Sequence, residues 1–246
     1  MQVVTPETVD HAVTEELTLE DGSQSRVTHY FGSRGVESET VPDAFLVEYR
    51  PAPGCDIRPH FHRVPQFQVV VGGDGRLGKR PVPPVSFHFA DAYTPYGPIV
   101  PADEERGIDF FTLRPKSRPG LWWMPGSKSE MKGRAGRNIA VPVPEQPPLE
   151  SGSQCETLIE RHEDGLAAFR LRLAPGEETT GPATDGSDGQ FYLVVGGSLR
   201  GEEVEAPRNS LLYVEPDDPA ATVTAGDEGA DVLVLQYPVD MAALAG

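Results

Sequence analysis

Residues 53–66 read PGCDIRPHFHRVPQ and place two histidines one residue apart, just before a run with the pattern of a β-strand. In an extended chain, residues two apart project to the same face, so the rings of His60 and His62 can reach one ion. Neutral imidazole nitrogens bind zinc and similar first-row ions at about 2.1 Å. The segment therefore predicts a pair of metal ligands on a β scaffold.

The strand that follows this segment occurs twice in the chain. Residues 66–73 read QFQVVVGG and residues 190–197 read QFYLVVGG, an offset of 124 residues. The similarity continues downstream, where residues 108–113 (IDFFTL) resemble residues 231–235 (DVLVL). Short runs rich in Val, Leu, Phe and Tyr are separated by Gly and Pro turns, and long stretches with a 3.6-residue period are missing. This pattern predicts two all-β lobes made by tandem duplication.

The spacing of Gly54, His60, His62, Gln66 and Gly73 resembles the first motif of the cupin superfamily, in which Glu stands at the position of Gln66. Because the repeat extends the similarity to the second half, the whole chain resembles a bicupin. The resemblance implies an all-β fold of two tandem cupin (jelly-roll-like) β-barrels. It also implies a metal site in the first barrel.

The metal motif departs from the cupin pattern at two positions. Residues 95–97 (PYG) fit the turn of the second cupin motif, but Val100 stands where that motif has its last histidine. Gln66 offers a neutral amide oxygen, which binds a hard cation more weakly than a carboxylate unless an anionic ligand is also present. The same amide recurs as Gln190 in a lobe without the two histidines, so packing or hydrogen bonding is an alternative role for Gln66.

His88 can restore the number of ligands. It lies within residues 86–89 (SFHF), alternates with two phenylalanines and corresponds to Leu212 in the second lobe. If the phenylalanines fill the space between sheets, His88 faces the cavity of the barrel. The predicted metal ligands are therefore His60, His62, Gln66 and His88.

The resemblance to cupins implies a divalent transition metal, namely iron, nickel, zinc or manganese. A centre with three histidines is similar to that of the thiol dioxygenase cupins, which favours a dioxygenase-like oxidoreductase acting on a small organic substrate. Two alternatives stay open: a non-catalytic cupin that binds a small ligand or a metal, and a metal-dependent isomerase or lyase acting on a sugar or keto acid. Asp91, Tyr93 and Tyr96 are expected to line the mouth of the cavity.

The repeat also predicts how the chain is divided. The second lobe lacks the histidines of the motif and is expected to be structural. The predicted segments are an N-terminal arm (1–25), a first barrel with the metal site (26–115), a connector (116–155) and a second barrel (156–240).

Composition limits the classes of partner. The formal net charge of −17 argues against nucleic acid and anionic membranes, so we expect a small-molecule substrate or ligand. The N-terminus has no basic start followed by an apolar run, which predicts a cytoplasmic protein. Cys55 and Cys155 lie far apart and are expected to be reduced. Tandem lobes can cover each other's open faces, so both a monomer and a homodimer are compatible with the sequence.

Overall fold

The structure is a computed structural model and describes residues 2–9, 14–132, 136–201, 205–216 and 218–239. Every regular element in these ranges is a β-strand, except for one turn of 3₁₀ helix at Lys128–Glu130. The predicted all-β class is therefore confirmed. No helix within the described ranges is long and apolar enough to cross a membrane.

The chain forms two compact units. The first consists of Asp10–Glu145, and the second combines Gln146–Gly246 with the N-terminal segment Met1–Val9. The N-terminal residues thus belong to the unit formed by the C-terminal half of the sequence.

The first unit contains three antiparallel sheets. Its strands are β2 (Thr14–Thr18), β3 (Gln24–Phe31), β4 (Asp43–Arg50), β5 (His60–Phe61), β6 (Gln66–Gly73), β7 (Gly75–Leu77), β8 (Arg80–Pro81), β9 (Ser86–Ala90), β10 (Ile99–Pro101), β11 (Ile108–Arg114), β12 (Trp122–Trp123) and β13 (Asn138–Pro142). The large sheet has the order β13-β9-β6-β11-β4-β3-β2, beside a three-stranded sheet β10-β7-β8 and a two-stranded sheet β12-β5. The predicted connector at 116–155 contains β12 and β13, which pair with strands of this unit.

The interior strand β6 separates two environments. On one face, the Phe67 ring lies 5.8 Å from the ring of Phe87 and 4.9 Å from that of Phe89, measured between centroids. Full burial of each such ring stabilises the fold by about 1.5–3 kcal/mol. The alternate residues of β6 and β9, which include Gln66 and His88, face the opposite side. The phenylalanines therefore direct the polar side chains of these strands away from their own apolar layer.

The second unit is built around one large antiparallel sheet. Its strands are β1 (Gln2–Val4), β14 (Ser153–Ile159), β15 (Ala167–Leu173), β16 (Glu178–Thr180), β17 (Gln190–Leu199), β18 (Ala206–Pro207), β19 (Leu211–Val214) and β20 (Thr222–Gln236). The strand order is β1-β19-β17-β20-β15-β14, while β16 pairs with β20 and β18 pairs with β17.

The two units share a glycine at the same place in the repeat. Gly73 and Gly197 both have a positive φ, of 67° and 60°. A Cβ at Gly73 would overlap the carbonyl oxygen of Gly107, and one at Gly197 would overlap that of Gly229. Only glycine fits such a close backbone approach at this φ. The repeated glycines therefore mark the same irregularity at the same strand in both units.

Strand register corrects the offset of the repeat in its last strand. Leu113 lies opposite Phe67 in the first unit, and Leu235 lies opposite Phe191 in the second. Phe191 is the counterpart of Phe67 at the offset of 124, so the last strand is offset by 122 residues. Arg114 therefore corresponds to Gln236.

Candidate functional site

His60 lies on the short strand β5, which pairs with β12, and His62 directly follows that strand. Phe61 is opposite Trp122, and the two rings stack with centroids 5.8 Å apart and planes inclined by 18°. The His60 and His62 rings lie beside each other, with centroids 5.2 Å apart in an edge-to-face arrangement. The stacked rings of Phe61 and Trp122 thus hold β5 against β12. The imidazoles of His60 and His62 lie next to each other.

Each of these imidazoles is oriented by a backbone carbonyl. His60 Nδ1 lies 2.7 Å from the carbonyl oxygen of Arg58, and His62 Nδ1 lies 2.8 Å from that of Gly120. A carbonyl oxygen only accepts, so these contacts assign the ring proton to Nδ1 and leave a lone pair on Nε2. Metal-binding histidines are usually held by an outer hydrogen bond of this kind.

Tyr96 lies at the centre of the cluster rather than at the predicted mouth of the cavity. Its backbone forms a two-way bridge with His60, with N···O distances of 3.1 and 3.0 Å. Its hydroxyl donates to His60 Nε2 over 2.8 Å and accepts from Gln66 Nε2 over 2.6 Å. Burial raises the pKa of Tyr96 well above its ordinary range, so the phenol keeps its proton.

His88 joins the same cluster from β9. Its ring centroid lies 4.6 Å from that of Tyr96, and its strand position is opposite Gln68. His88 is 4% exposed, and its Nε2 has no hydrogen-bond partner among the described residues. It also lines a cavity of about 20 Å³, enough for one water molecule. A buried ring nitrogen without a partner is open to a ligand.

Arg114 and Asp43 complete the site, and neither was predicted. Arg114 Nε donates to Gln66 Oε1 over 3.1 Å, and Nη1 donates to Asp43 Oδ2 over 3.1 Å. Arg114 Nη2 lies 3.2 Å from His62 Nδ1. Both polar atoms of the Gln66 amide are thus occupied, by Arg114 on one side and Tyr96 on the other. In this structure Gln66 holds those two side chains in place.

The second unit replaces this polar cluster with smaller or neutral side chains. The amide of Gln66 is kept in this unit as Gln190. Its Nε2 donates to Gln236 Oε1 over 2.7 Å. Asp43 and Arg114 align with their counterparts only through the strand registers of the two units, which the sequence does not give. The counterparts of Asp43, His60, His62, His88 and Arg114 are Ala167, Pro182, Thr184, Leu212 and Gln236.

The site has two neighbouring polar contacts, an ion pair of Asp91 with Arg137 and a contact of His29 with Asp43. Asp91, a predicted mouth residue, binds Arg137 with carboxylate oxygens 2.9 and 3.0 Å from the guanidinium, and so anchors the strand β13. His29 is buried, and its Nδ1 lies 4.0 Å from Asp43 Oδ1. Burial lowers the pKa of His29, which keeps this ring neutral.

The three clustered histidines are neutral at neutral pH. Burial lowers the pKa of His60 to about 4 and that of His88 to about 3. Burial, assisted by the positive charge of Arg114, also lowers the pKa of His62 well below its ordinary value. Neutral imidazole is the form that binds transition metals.

The donor chemistry of the cluster suits a first-row divalent ion. His60 and His62 carry lone pairs on Nε2, and Nε2 of His88 is unpartnered. However, the residues that the structure describes contain no group of three His, Cys, Asp or Glu side chains already positioned around one point. The Tyr96 hydroxyl lies against His60 Nε2, so a metal would have to replace that hydrogen bond.

These pKa values lead to a prediction about acid stability. Metal-free protein should lose stability as the pH falls from 6.5, where unfolded histidines take up protons, to about 4, where His60 also does so. Acid favours the unfolded state in this window because that state binds more protons, with at most about 3 kcal/mol from each ring. Urea unfolding between pH 4 and 7 measures the effect.

The replacement His88→Leu, which introduces the residue of the second unit, is the matched variant for this measurement. It should flatten the decline in stability because one buried neutral ring is removed. A decline as steep as that of the unaltered protein would contradict the assignment of His88 as a neutral buried histidine.

No protein-family model matches this sequence, and no curated protein matches it. Solved structures do match. A candidate dioxygenase from Nostoc punctiforme has a TM-score of 0.59 at 11% identity, covering 96% of this chain and 82% of its own. The bacterial pirin of Escherichia coli, in complex with nickel(II), has a TM-score of 0.54 at 13% identity, covering 96% and 98%. A deletion mutant of Bacillus subtilis oxalate decarboxylase has a TM-score of 0.55 at 14% identity, covering 92% and 76%. At these identities the matches establish a shared fold.

Proposed function

We propose, from the premise that this chain has a tandem cupin fold, that its first unit is a metal-dependent oxidoreductase site of the dioxygenase type. The residues that would hold the metal are His60, His62 and His88. One observation carries the proposal: backbone carbonyls hold Nδ1 of both His60 and His62, while Nε2 of His88 is buried and has no partner among the residues that the structure describes. Three neutral nitrogen donors suit iron, nickel, zinc or manganese.

The names of two structural neighbours support this choice. One is a candidate dioxygenase, and the other is a pirin solved with nickel(II). Both statements concern those proteins. They make an oxygen-dependent reaction and a first-row metal the first activities to test in this chain.

A bound metal would supply a Lewis acid and, for iron, a centre for dioxygen chemistry. The side chains of the cluster have separate tasks. Tyr96 holds a proton at its hydroxyl, within hydrogen-bond distance of His60 Nε2. Gln66, predicted as a ligand, is proposed to act as a positioning residue because both its amide atoms bind neighbours.

Arg114 adds a fixed positive charge beside the imidazoles, and Asp43 partly balances it. The pairing of Arg114 with Asp43 is buried, with the two side chains only 6% and 7% exposed. Because water is excluded from this buried pair, the electrostatic interaction between its charges is stronger than in solvent. We assign this pair the task of holding Gln66 in a fixed orientation.

A non-catalytic binding site is the second candidate function. The contact of the Tyr96 hydroxyl with both His60 and Gln66 favours it, because these hydrogen bonds satisfy the polar groups without a metal. In that case the unit would bind a small ligand, and no turnover would depend on the histidines.

Oxygen uptake separates the two candidates. Protein reconstituted with Fe(II) and, as the control, with Zn(II) is supplied with a panel of small thiols, phenols and organic acids. We expect oxygen uptake with at least one compound for the iron form and none for the zinc form. The replacement His88→Leu should abolish the iron-dependent uptake. Bound iron with no uptake for any compound would favour the binding function.

A further inference from the structure

A cleft of about 420 Å³ lies in the first unit, beside the short strand β8 and the strand β13. Its wall includes Val82 and Pro83, which follow β8, together with Phe87 in β9 and Val141 in β13. The surface is therefore mainly apolar. A volume of this size is in the range of binding sites for small organic molecules.

One polar group is buried in the wall of this cleft. Ser86 is 2% exposed, and its hydroxyl has no hydrogen-bond partner among the described residues. An unsatisfied buried hydroxyl costs about 1–3 kcal/mol. A hydroxyl or carbonyl group of a bound molecule would remove that cost.

The cleft adjoins the histidine cluster. It shares Val82, Ser86 and Phe87 with the small cavity beside His88. Ser86 and His88 are two residues apart in β9 and face the same side of the strand. Nε2 of His88 and the hydroxyl of Ser86 are both buried, and neither has a partner in the described ranges of the chain. A molecule hydrogen-bonded to Ser86 would thus end next to His88.

Charge on the chain disfavours anionic ligands in the cleft. Arg80 and Asp74 both contribute to its lining, so their charges oppose each other. The chain as a whole carries a formal charge of −17, which repels anions. The chemical class of the ligand is therefore inferred from the apolar wall and the buried hydroxyl of Ser86 rather than from a charged group.

We infer that this cleft binds an uncharged, mainly apolar small molecule with one hydroxyl or carbonyl group, which bonds to Ser86. The cleft is then the substrate site that serves the histidine cluster. This inference deepens the proposed function and rests on it for the reaction. Binding in the cleft requires no metal, so it can be tested separately.

The test titrates metal-free full-length protein with three probes of similar size: 2-naphthol, naphthalene and 2-naphthoate, followed by fluorescence. We expect saturable binding of 2-naphthol and much weaker binding of 2-naphthoate. Ser86→Ala should weaken 2-naphthol about fivefold, the value of one neutral hydrogen bond, and leave naphthalene unchanged. No saturable binding of 2-naphthol, or tighter binding of 2-naphthoate, would overturn the inference.

A matched control exists in the other unit. Ser210 is the counterpart of Ser86 in the repeat, is 0% exposed and also has an unpartnered hydroxyl. Ser210→Ala should not change the affinity for 2-naphthol, and an equal effect of both serine variants would overturn the assignment.

Two further variants block the cleft. Ala140→Trp fills it from β13, and Ala102→Trp does so from an exposed position where a large side chain is tolerated for folding. Each should abolish binding of 2-naphthol and naphthalene while circular dichroism stays unchanged. Binding retained in a folded blocked variant would place the probes elsewhere. Failure of the metal tests with intact probe binding would reject the proposed function alone.

Discussion

Replacing His60 and His62 together by alanine should reduce bound metal from near-stoichiometric to background. The two rings lie side by side with their Nδ1 atoms held by carbonyls, so the change removes two of the three proposed nitrogen donors. The double variant keeps only His88, and one neutral ligand is too few for a stable metal site in a protein. Elemental analysis of purified protein after incubation with Fe(II), Ni(II), Zn(II) or Mn(II) measures the loss.

His162→Ala is the matched control for this experiment. His162 is exposed in the second unit, so its removal tests surface binding by histidine in general. The control should keep its metal, and the double variant should keep its circular dichroism spectrum. Equal metal content in the double variant and the control would reject the site.

Arg114→Ala should lower the free energy of unfolding by about 3–5 kcal/mol. The change leaves Asp43 buried without its guanidinium partner, and Gln66 Oε1 loses its donor. Burial already raises the pKa of Asp43, and the charge of Arg114 opposes that rise. Urea unfolding at neutral pH gives the loss.

The second unit supplies the compensating pair for this test. Arg114→Gln combined with Asp43→Ala introduces the residues found there, Gln236 and Ala167, and should recover most of the stability lost in either single variant. Arg50 and Asp109 form a more exposed pair, with side chains 37% and 27% exposed, so Arg50→Ala should cost less than about 1 kcal/mol. An effect of Arg114→Ala as small as that of Arg50→Ala would contradict the assigned burial and pairing.

The fold was predictable because its signals are local. The strand QFQVVVGG carries its own alternation and ends at a glycine, and its second copy at 190–197 showed that the pattern is structural rather than accidental. The cupin resemblance follows from the spacing around His60 and His62, and the chain shares its fold with the matched solved structures. Turn residues and strand alternation act over a few positions, so one sequence is enough to read them.

The polar partners of the site were less predictable because they come from distant strands. Arg114 and Asp43 are 71 residues apart and become neighbours only through the register of β11 with β4. The sequence predicts Tyr96 at the mouth of the cavity, whereas the structure places it at the centre of the cluster. A Pro-x-Gly turn does not indicate where the tyrosine ring points. The assignment of His60, His62, Gln66 and His88 as metal ligands stays a prediction, although the structure brings all four side chains together around Tyr96.

The placement of the N-terminal strand limits how the chain can be divided. β1 pairs with β19 through Gln2, Val3 and Val4, whereas the residues that follow from Asp10 belong to the first unit. A fragment that begins at Gln146 would lack this strand and expose the backbone donors and acceptors of β19. Such an unpaired strand edge promotes self-association. Expression of the C-terminal half by itself should therefore yield aggregates, and a short peptide carrying the first residues of the chain should act as its solubilising complement.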